Sequence, residues 1–540
     1  MGKLAVVRAP NKDPRLIGDL TASGANAASV INEKTSLPTA SDVQKAVATV
    51  GAKAVAIIVD VKSAHKRIKV AESDGGLMFF RVGQDLYRYL VNTFGAKWAA
   101  YWWARAGGCL HRLLHNWVAA SHFGFIYVDD WIFIVNDSSA DRVGTSLVGL
   151  LQVLNVPVSW RKCNIGSDVV FIGWKWQLRF QRVSLPEDKL LKLRHLLSLL
   201  RAGDRVSRKS LLRTLGFLVW LTAVFQQWRP WLFCFYDALK APGMTVKRLT
   251  RDGVRSLGCR VDQDRRTVSV LEGWDVQPRW EVLSIGGTNA SQVPPQLWHT
   301  LVSEAAWVKF ATPEPERIRV STEVVWVANQ MLSAFSGELF VPCELPTLVR
   351  GAAAADAWAS DSDAGVGGWW SSEDHPSTGD VDPSRVFWFR LDFTEEDFPP
   401  FFGIRAPLAS HIAAIEALAQ ALLLHLRTQA LSPGRERCVL LTQACDNSGA
   451  VARLGANITA RRAMARALQL SCWLATKSKA VLQVSHIAGI RNDLADAISR
   501  HREPGSQERL ASLCPEKEVR IHWQALVGEV WPEEAFPQRK

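Results

Sequence analysis

The sequence predicts an α+β fold built from several domains. Its 540 residues suffice for three or four domains at about 150 residues each. Hydrophobic residues make up 48% of the chain and charged residues 21%, which is ordinary globular composition and excludes a disordered or fibrous protein. Apolar strand-like runs alternate with segments of helical spacing in two separate parts, residues 51–180 and 351–500. These two parts define the predicted fold class.

Composition also indicates the cellular compartment of the protein and the chemical class of its partner. The longest strongly apolar run, residues 215–225, is too short to cross a membrane, and the N-terminus lacks a signal-peptide pattern. Nine cysteines without a C-x-x-C pair are typical of core thiols in a reducing compartment. We therefore expect an intracellular protein, cytoplasmic or nuclear, without a membrane partner. The net charge of +12 favours a polyanionic partner such as nucleic acid.

The chain divides into six predicted segments, which are 1–50, 51–180, 181–241, 242–350, 351–500 and 501–540. The first is polar and is expected to hold loops and a short strand. Spaced leucines predict amphipathic helices in the third segment. The fourth is expected to be a connection with short strand-like pieces, at 267–271 and 317–327, and the sixth a charged tail.

The second and fifth segments carry the most specific element predictions. In the second these are a strand at 54–61, a mostly helical stretch at 84–118 and a hairpin at 123–135. In the fifth they are a Gly-rich turn at 365–368, a helix at 410–427, a strand at 438–441 and a helix at 493–500.

Two adjacent carboxylates, Asp129 and Asp130, stand between the apolar strands of the predicted hairpin. Like charges beside buried strands repel one another and resist desolvation, and a divalent cation relieves both costs. A solvated acidic turn is the alternative, because Asp is a common turn residue. Asp60 adds a third carboxylate at the end of the apolar run 54–59. Together these acids could hold two Mg²⁺ or Mn²⁺ ions.

The string Tyr127-Val128-Asp129-Asp130, preceded by Asp60, resembles the palm of reverse transcriptases of retroviruses and of LTR-type and DIRS-type retrotransposons. The resemblance implies a right-hand polymerase: partial fingers at 1–50, a palm at 51–180 and a helical thumb at 181–241. It also implies nucleotide-binding roles for Arg15, His65, Gly95 and Lys162, and primer or template contacts for Tyr127, Gly173 and Trp174.

Three departures from the family pattern accompany this resemblance. His65 stands where the family usually carries the Tyr or Phe that excludes a 2′-hydroxyl. Gly95 is followed by Trp98-Ala-Ala100 instead of a Ser-Pro pair. The first half of the fingers is missing, which we interpret as a truncated reading frame or one piece of a longer polyprotein.

Carboxylates recur in the fifth segment at four separate places, a set that suits a two-metal hydrolase: Asp356 or Asp361, Glu416, Asp446 and Asp496. Each also has a structural explanation, since Asp446-Asn-Ser could cap a helix and Asn492 with Asp493 could begin one. The set, with His486 before the last Asp, resembles ribonuclease H. For the first acid we favour Asp361 over Asp356, because the glycines follow it within the reach of a hairpin turn.

The two resemblances together imply an RNA-directed DNA polymerase with ribonuclease H activity, from a retrotransposon. Its partners would be an RNA template, a DNA primer, dNTPs and an RNA/DNA hybrid, with two Mg²⁺ or Mn²⁺ ions per active site. His486 would assist product release or proton transfer. Two alternatives stay open: an inactive relic that only binds nucleic acid, and a nuclease with a dead polymerase. The sequence makes no prediction of an oligomeric state.

Overall fold

The computed structural model describes most of the chain, with gaps concentrated between 241 and 315. The described residues are 3–9, 12–21, 24–240, 245–249, 259–262, 267–270, 279–285, 288–289, 292, 294, 306–310, 316–337, 339–371, 381–431 and 437–536. For the strands between 245 and 310 this description covers the backbone alone.

The helices lie mainly in three groups along the chain. The α-helices span Ala25–Ala28, Ala40–Val50, Lys97–Trp117, Ala140–Val153, Glu187–Ser198, Arg208–Leu221, Phe233–Leu239, Thr322–Ala334, Ile412–Gln429, Ser448–Ala456, Arg462–Lys477, Asp493–Ser499, Gln507–Ala511 and Trp523–Val530. The predicted helices at 410–427 and 493–500 are therefore present with shifted ends. The predicted helical stretch at 84–118 is helical only from Lys97, since Asp85–Arg88 is a strand.

An antiparallel sheet of four strands forms the centre of the second segment. Its order is His122–Tyr127, Asp130–Asn136, Ala54–Asp60 and Asn164–Gly166. Alternate residues of a strand face opposite sides of the sheet. One face packs on the Ala40–Val50 helix through Ile58 and Ile132, and the other packs on the Ala140–Val153 helix through Ile57 and Phe133. Because both faces are covered, the central strands are apolar without interruption up to Asp60.

The N-terminal segment is more regular than predicted. Strands Lys3–Ala9 and Lys12–Asp19 form an antiparallel hairpin, and the Ala40–Val50 helix follows. Thr39 begins that helix with a capping box, in which its hydroxyl accepts from the Asp42 amide and the Asp42 carboxylate accepts from the Thr39 amide. The expectation of loops with one short strand was wrong, since it overlooked this helix-start signal.

Small sheets join the helical third segment to residues beyond 316. Strands Asp168–Phe171, Trp174–Gln177, Arg182–Ser184 and Phe340–Pro342 form one sheet, and Arg205–Ser207 pairs with Arg317–Arg319. A separate hairpin within the second segment pairs Phe79–Val82 with Asp85–Arg88. Thr322–Ala334 is a helix that packs on Glu187–Ser198. The strand-like interpretation of 317–327 was therefore wrong after Arg319. Ser321 caps the helix by accepting from the Val324 amide, and this cap outweighs the β-branched residues inside it.

Between the two α/β parts in the sequence, five strands form an antiparallel sheet, and a sixth short strand pairs with one of them. Its order is Thr245–Leu249, Ala306–Phe310, Arg279–Ile285, Thr267–Val270 and Cys259–Asp262, and Thr288–Asn289 pairs with Arg279–Ile285. The strand expected at 267–271 is thus present, as Thr267–Val270.

The fifth segment is built on a mixed sheet. Strands Ala353–Ala359, Asp363–Trp370 and Phe387–Thr394 are antiparallel neighbours, whereas Val439–Cys445 runs parallel to Thr347–Leu348, Ala353–Ala359 and Ala480–His486. The helix Ile412–Gln429 covers one face and itself packs on Arg462–Lys477, and Asp493–Ser499 covers the opposite face.

The glycine cluster at 365–368 lies within a strand, so the turn predicted there was wrong. An added Cβ on Gly367 would come 2.5 Å from the Ser499 backbone nitrogen, and one on Gly365 would come 2.4 Å from the Ser499 carbonyl oxygen. These glycines therefore allow the Asp493–Ser499 helix to approach the sheet closely.

Residues 501–536 are packed against the fifth segment. Trp531 is fully buried, and its indole nitrogen donates to Gln469 at 3.0 Å. Beside it, the buried Arg466 makes two bonds to the Glu323 carboxylate, at 2.7 and 3.0 Å, which joins the Arg462–Lys477 and Thr322–Ala334 helices. The charged composition of this stretch concealed its buried aromatic residues.

Among the described residues, one helical segment, Leu408–Gln429, is long and apolar enough to cross a membrane. In its most apolar window 67% is buried inside the fold, which is the behaviour of a core helix.

Candidate functional site

The first carboxylate cluster lies at one end of the four-stranded sheet. Asp60 ends its strand directly opposite Asp130, and Asp130 is also paired with Tyr127 across the hairpin. Directly paired residues have Cβ atoms about 5 Å apart and point to the same face. Burial, followed by the charges of Asp129 and Asp60, raises the pKa of Asp130 to about 6. The carboxylates of Asp129 and Asp60 are thus close enough to disfavour the charged form of Asp130.

A strained two-residue turn presents Asp129. Val128 has a φ of 56°, a left-handed conformation that is costly for a β-branched residue. Two hydrogen bonds hold the turn: the Trp103 indole donates to the Val128 carbonyl at 2.7 Å, and the Val61 amide donates to the Asp129 carbonyl at 3.0 Å. Asp129 therefore does lie in a turn, as the alternative interpretation expected, but hydrogen bonds from Trp103 and Val61 hold this turn in place.

Lys162 joins this cluster through Asp60. Its Nζ lies 2.7 Å from Asp60 Oδ2, and this hydrogen bond raises the pKa of Lys162. The Asp60 side chain is 4% exposed, whereas that of Lys162 is 63% exposed. Lys162 therefore offsets part of the negative charge of the three neighbouring carboxylates.

Of the three predicted primer or template contacts, Tyr127 and Gly173 line a pocket and Trp174 is a core residue. Tyr127, Asp130, Lys162 and Gly173 line one pocket. Gly173 belongs to a tight turn with positive φ, between strands paired at Phe171 and Trp174. Trp174 is 1% exposed and stacks on Trp220 with ring centroids 4.3 Å apart. Its indole is a core group and is covered.

Two other predicted nucleotide-binding residues, Gly95 and His65, lie around the start of the Lys97–Trp117 helix. Gly95 has a φ of 100°, and a Cβ there would come 2.0 Å from the Gly18 carbonyl oxygen, so glycine is required for this close approach. His65 Nδ1 lies 3.2 Å from the Ala99 carbonyl. Arg15 is on the Lys12–Asp19 strand, and its side chain lies outside the described part of the chain.

The second cluster gathers four acids from separate elements into one pocket. Asp356 comes from the first strand of the mixed sheet, Glu416 from the covering helix, Asp446 from the end of Val439–Cys445 and Asp496 from Asp493–Ser499. Asp356 and Glu416 are 3% and 4% exposed. Burial first, and then neighbouring carboxylates, raise the pKa of Asp356 to about 7 and that of Glu416 to about 9.

The geometry replaces Asp361 by Asp356 as the first acid of this cluster. Asp361 is exposed in the bend that joins two strands, and its carbonyl accepts from the Leu408 amide at 3.0 Å. Asp356 lies inside the strand, paired with Gly367. Our preference rested on a hairpin turn at the glycines, but these glycines are strand residues, and the cross-strand pairing brings them to Asp356.

Both helix starts considered from the sequence are present, with Asn447 and Asn492 at the N-cap positions. Asn447 caps the Ser448–Ala456 helix, with its Oδ1 accepting from the Ala450 amide at 3.1 Å, which leaves the Asp446 carboxylate for the pocket. Asn492 is 1% exposed and donates to Asp356 Oδ1 at 3.3 Å. His486 Nε2 lies 3.0 Å from the Asp446 carbonyl.

Several residues of this second cluster escaped the sequence analysis. Ser499 Oγ donates to Asp356 Oδ2 at 2.8 Å, and Arg500 Nε donates to Asp496 Oδ1 at 2.7 Å. Asn492 and Ser499 stand seven positions apart, which is two helical turns and one helix face. Polar residues at that spacing among buried apolar neighbours were the signal that could have revealed them.

The donor set of the second cluster fits a hard divalent cation. Ligand atoms of Glu416, Cys445 and Asp446 lie within 4.8 Å of one another. Burial and the charge of Glu416 raise the pKa of the Cys445 thiol, so it stays protonated and offers no soft thiolate ligand. The remaining donors are carboxylate oxygens, which Mg²⁺ and Mn²⁺ prefer. The first cluster, with Asp60, Asp129 and Asp130, likewise offers oxygen alone.

Comparisons with known proteins give little beyond this geometry. No protein-family model matches the chain, and no curated protein matches it. Similar solved structures include a foamy viral protease–reverse transcriptase with double-stranded DNA, 13% identical with a TM-score of 0.39, covering 90% of this chain and 65% of that one. Another is a foamy viral protease–reverse transcriptase with an RNA/DNA hybrid, 14% identical with a TM-score of 0.33, covering 94% of this chain and 73% of that one. The chain thus spans less than two thirds of the former. TM-scores this low carry no argument, so the sites rest on their own geometry.

Proposed function

We propose that this chain is an RNA-directed DNA polymerase with ribonuclease H activity, derived from an LTR-type or DIRS-type retrotransposon. The proposal assigns partial fingers to 1–50, a palm to 51–180, a thumb to 181–241, a connection to 242–350, a ribonuclease H-like domain to 351–500 and a tail to 501–540. The observation that carries it is the pair of separate, oxygen-only carboxylate clusters, each joined to a motif of the corresponding enzyme family.

In the first cluster, Asp60, Asp129 and Asp130 would hold two divalent cations. Bound there, the cations would supply the Lewis-acid charge for attack of a primer 3′-hydroxyl on the α-phosphate of a dNTP. Lys162 orients Asp60 by its 2.7 Å bond and adds positive charge beside the incoming phosphates. The turn of Ile172 and Gly173 borders the same pocket, where the primer end would lie.

In the second cluster, Asp356, Glu416, Asp446 and Asp496 would hold the cations that activate a water for cleavage of RNA in a hybrid. The Nε2–H of His486 donates to the Asp446 carbonyl, which leaves Nδ1 as the basic nitrogen that can take up a proton. The basic balance of the chain favours binding of the hybrid through its phosphates.

The test is a paired assay of one preparation. Primer extension on an RNA template and cleavage of a labelled RNA/DNA hybrid are measured with Mg²⁺ and with Mn²⁺. Asp129→Asn is expected to abolish extension and to spare cleavage, and Asp446→Asn to do the reverse, because each removes a ligand from one cluster only. Loss of both activities in both variants would contradict the two-site proposal.

Each variant has a matched control. Asp137→Asn changes an exposed acid just beyond the Asp130–Asn136 strand, and Asp361→Asn changes an exposed acid near the second cluster. Both controls are expected to keep both activities. Loss of cleavage in Asp361→Asn, with Asp356→Asn active, would restore Asp361 as the first acid.

A nuclease without polymerase activity is the second candidate function. It is favoured by the Lys162 ion pair, which occupies one of the two oxygens that Asp60 could offer to a cation. Its signature in the paired assay is hybrid cleavage by the unmodified chain without any primer extension.

A further inference from the structure

The Asp356 carboxylate is held at both oxygens by buried donors. Ser499 Oγ lies 2.8 Å from Oδ2 and 2.9 Å from the Asp496 carbonyl oxygen, so its one proton is shared between these two acceptors, and Asn492 Nδ2 donates to Oδ1 at 3.3 Å. Ser499 is fully buried and Asn492 is 1% exposed. Two hydrogen bonds leave about half of the acceptor sites of a carboxylate unused. The unused sites are free to face Glu416, Asp446 and Asp496, which line the same pocket as Asp356.

Both donors come from one short helical segment that is fixed against the strand of Gly367. Leu494 and Ile498 anchor this segment in an apolar cluster beneath the sheet. Because a Cβ on Gly367 would come 2.5 Å from the Ser499 nitrogen, the glycine sets the separation between the helix end and the sheet. The position of the Ser499 hydroxyl relative to Asp356 therefore depends on the backbone of both elements.

Asn492 provides an independent observation that points to a ligand. Its Oδ1 is buried and has no hydrogen-bond partner among the described residues, while its Nδ2 is used by Asp356. A buried amide oxygen without a partner is unfavourable, and a bound water, free or in the shell of a cation, offers the missing donor.

We propose that Ser499 and Asn492 are positioning residues that hold Asp356 in the orientation in which it binds a divalent cation. The inference rests on the proposed nuclease function and deepens it. Neither residue needs to contact the cation. Each holds the Asp356 carboxylate in one orientation before the cation binds. The conformational entropy of that side chain is therefore lost during folding and does not weaken cation binding. Removing such an outer partner typically weakens metal binding by about 10–100-fold.

The test measures Mn²⁺ binding by calorimetry in the full-length chain. The Asp129→Asn background is used so that heat from the first cluster is reduced. Ser499→Ala is expected to weaken Mn²⁺ binding by about 10–100-fold, and Ser499→Thr, which keeps the hydroxyl, to restore it to within about threefold. Ser471→Ala is the matched control, because Ser471 is 4% exposed but lies on the Arg462–Lys477 helix.

Thermal unfolding without metal separates positioning from folding. If Ser499→Ala fails to fold, Asn492→Ala provides the same test through the other oxygen of Asp356. Mn²⁺ binding by folded Ser499→Ala and Asn492→Ala that equals that of the parent would overturn the inference and leave the nuclease proposal standing. A parent chain that neither binds Mn²⁺ nor cleaves hybrid would overturn both.

Discussion

Replacing Glu416 by Gln should make the metal-free protein more stable while it destroys the second cluster. Glu416 is 4% exposed, and burial with the charges of Asp356 and Asp446 raises its pKa from 4.5 to about 9. A group whose pKa is raised on folding contributes stability below its unfolded pKa and loses it as pH rises toward the folded value. Between pH 4.5 and 7 the folded chain keeps a proton that the unfolded chain releases. At about 1.4 kcal/mol per pH unit, this costs the fold about 3 kcal/mol at pH 7.

Gln has nearly the shape of protonated Glu and releases no proton, so the variant avoids this cost. We expect Glu416→Gln to exceed the parent by about 2 kcal/mol in EDTA at pH 7 after an allowance for altered hydrogen bonds, and by little near pH 5. The assay is urea unfolding at several pH values with and without Mg²⁺. Mg²⁺ should stabilise the parent more than the variant, because a cation binds the charged acids of the folded state and the variant keeps only the first cluster intact.

Glu396→Gln is the control, because Glu396 is exposed. It should follow the parent at every pH. A stability difference between Glu416→Gln and the parent that does not vary with pH would refute the reasoning, as would a variant that is less stable than the parent in EDTA near pH 8.

Two further predictions concern the core. Trp531→Ala should lower the free energy of unfolding in urea by about 3–5 kcal/mol, because a fully buried indole is removed. Trp117→Ala is the control, since Trp117 is 61% exposed, and it should change stability by about 0.5 kcal/mol or less. Equal effects of the two substitutions would mean that residues 501–536 contribute nothing to the stability of the fold. Burial, followed by the charges of His115 and His122, lowers the pKa of His111 from 6.5 to about 4. Between these two pH values the unfolded chain takes up a proton that the folded chain does not, so the free energy of unfolding should decrease as the pH is lowered. His111→Gln should reduce this loss by about 1 kcal/mol near pH 5, after a discount for partial exposure, and an unchanged pH profile would count against the shift.

The central strands were predictable because the physics that forms them is local. The apolar run before Asp60 and the alternation around Asp129 and Asp130 indicate strands, and the change from apolar to acidic marks where burial ends. The register that places Asp60 opposite Asp130 was not predictable, because it depends on pairing across 69 residues of intervening chain. The resemblance of the motifs to a known family suggested that Asp60 and Asp130 act together, and the hydrogen bonds between their strands bring the two residues opposite each other.

Helix starts and buried aromatic residues at the ends of the chain were missed for a different reason. The Thr39-x-x-Asp42 box and the Ser321 cap are local signals, but polar or β-branched surroundings masked them. Trp531 lies in a charged stretch, and its burial results from packing against Phe401 and Gln469, which are distant in sequence.

Asp356 illustrates why proximity along the chain misled the choice of the first acid. Glycines next to Asp361 suggested a tight turn, a feature that depends on neighbouring residues. In the fold the same glycines serve tertiary packing: Gly367 faces the helix that carries Ser499, and it pairs with Asp356 across the strands. A glycine in a strand without a turn often marks where another backbone approaches. The element that approaches here carries both donors to Asp356, so the glycine, the acid and the buried serine are parts of one arrangement. An added methyl at Gly367 should therefore displace Ser499 from Asp356 before it affects any other acid of the cluster.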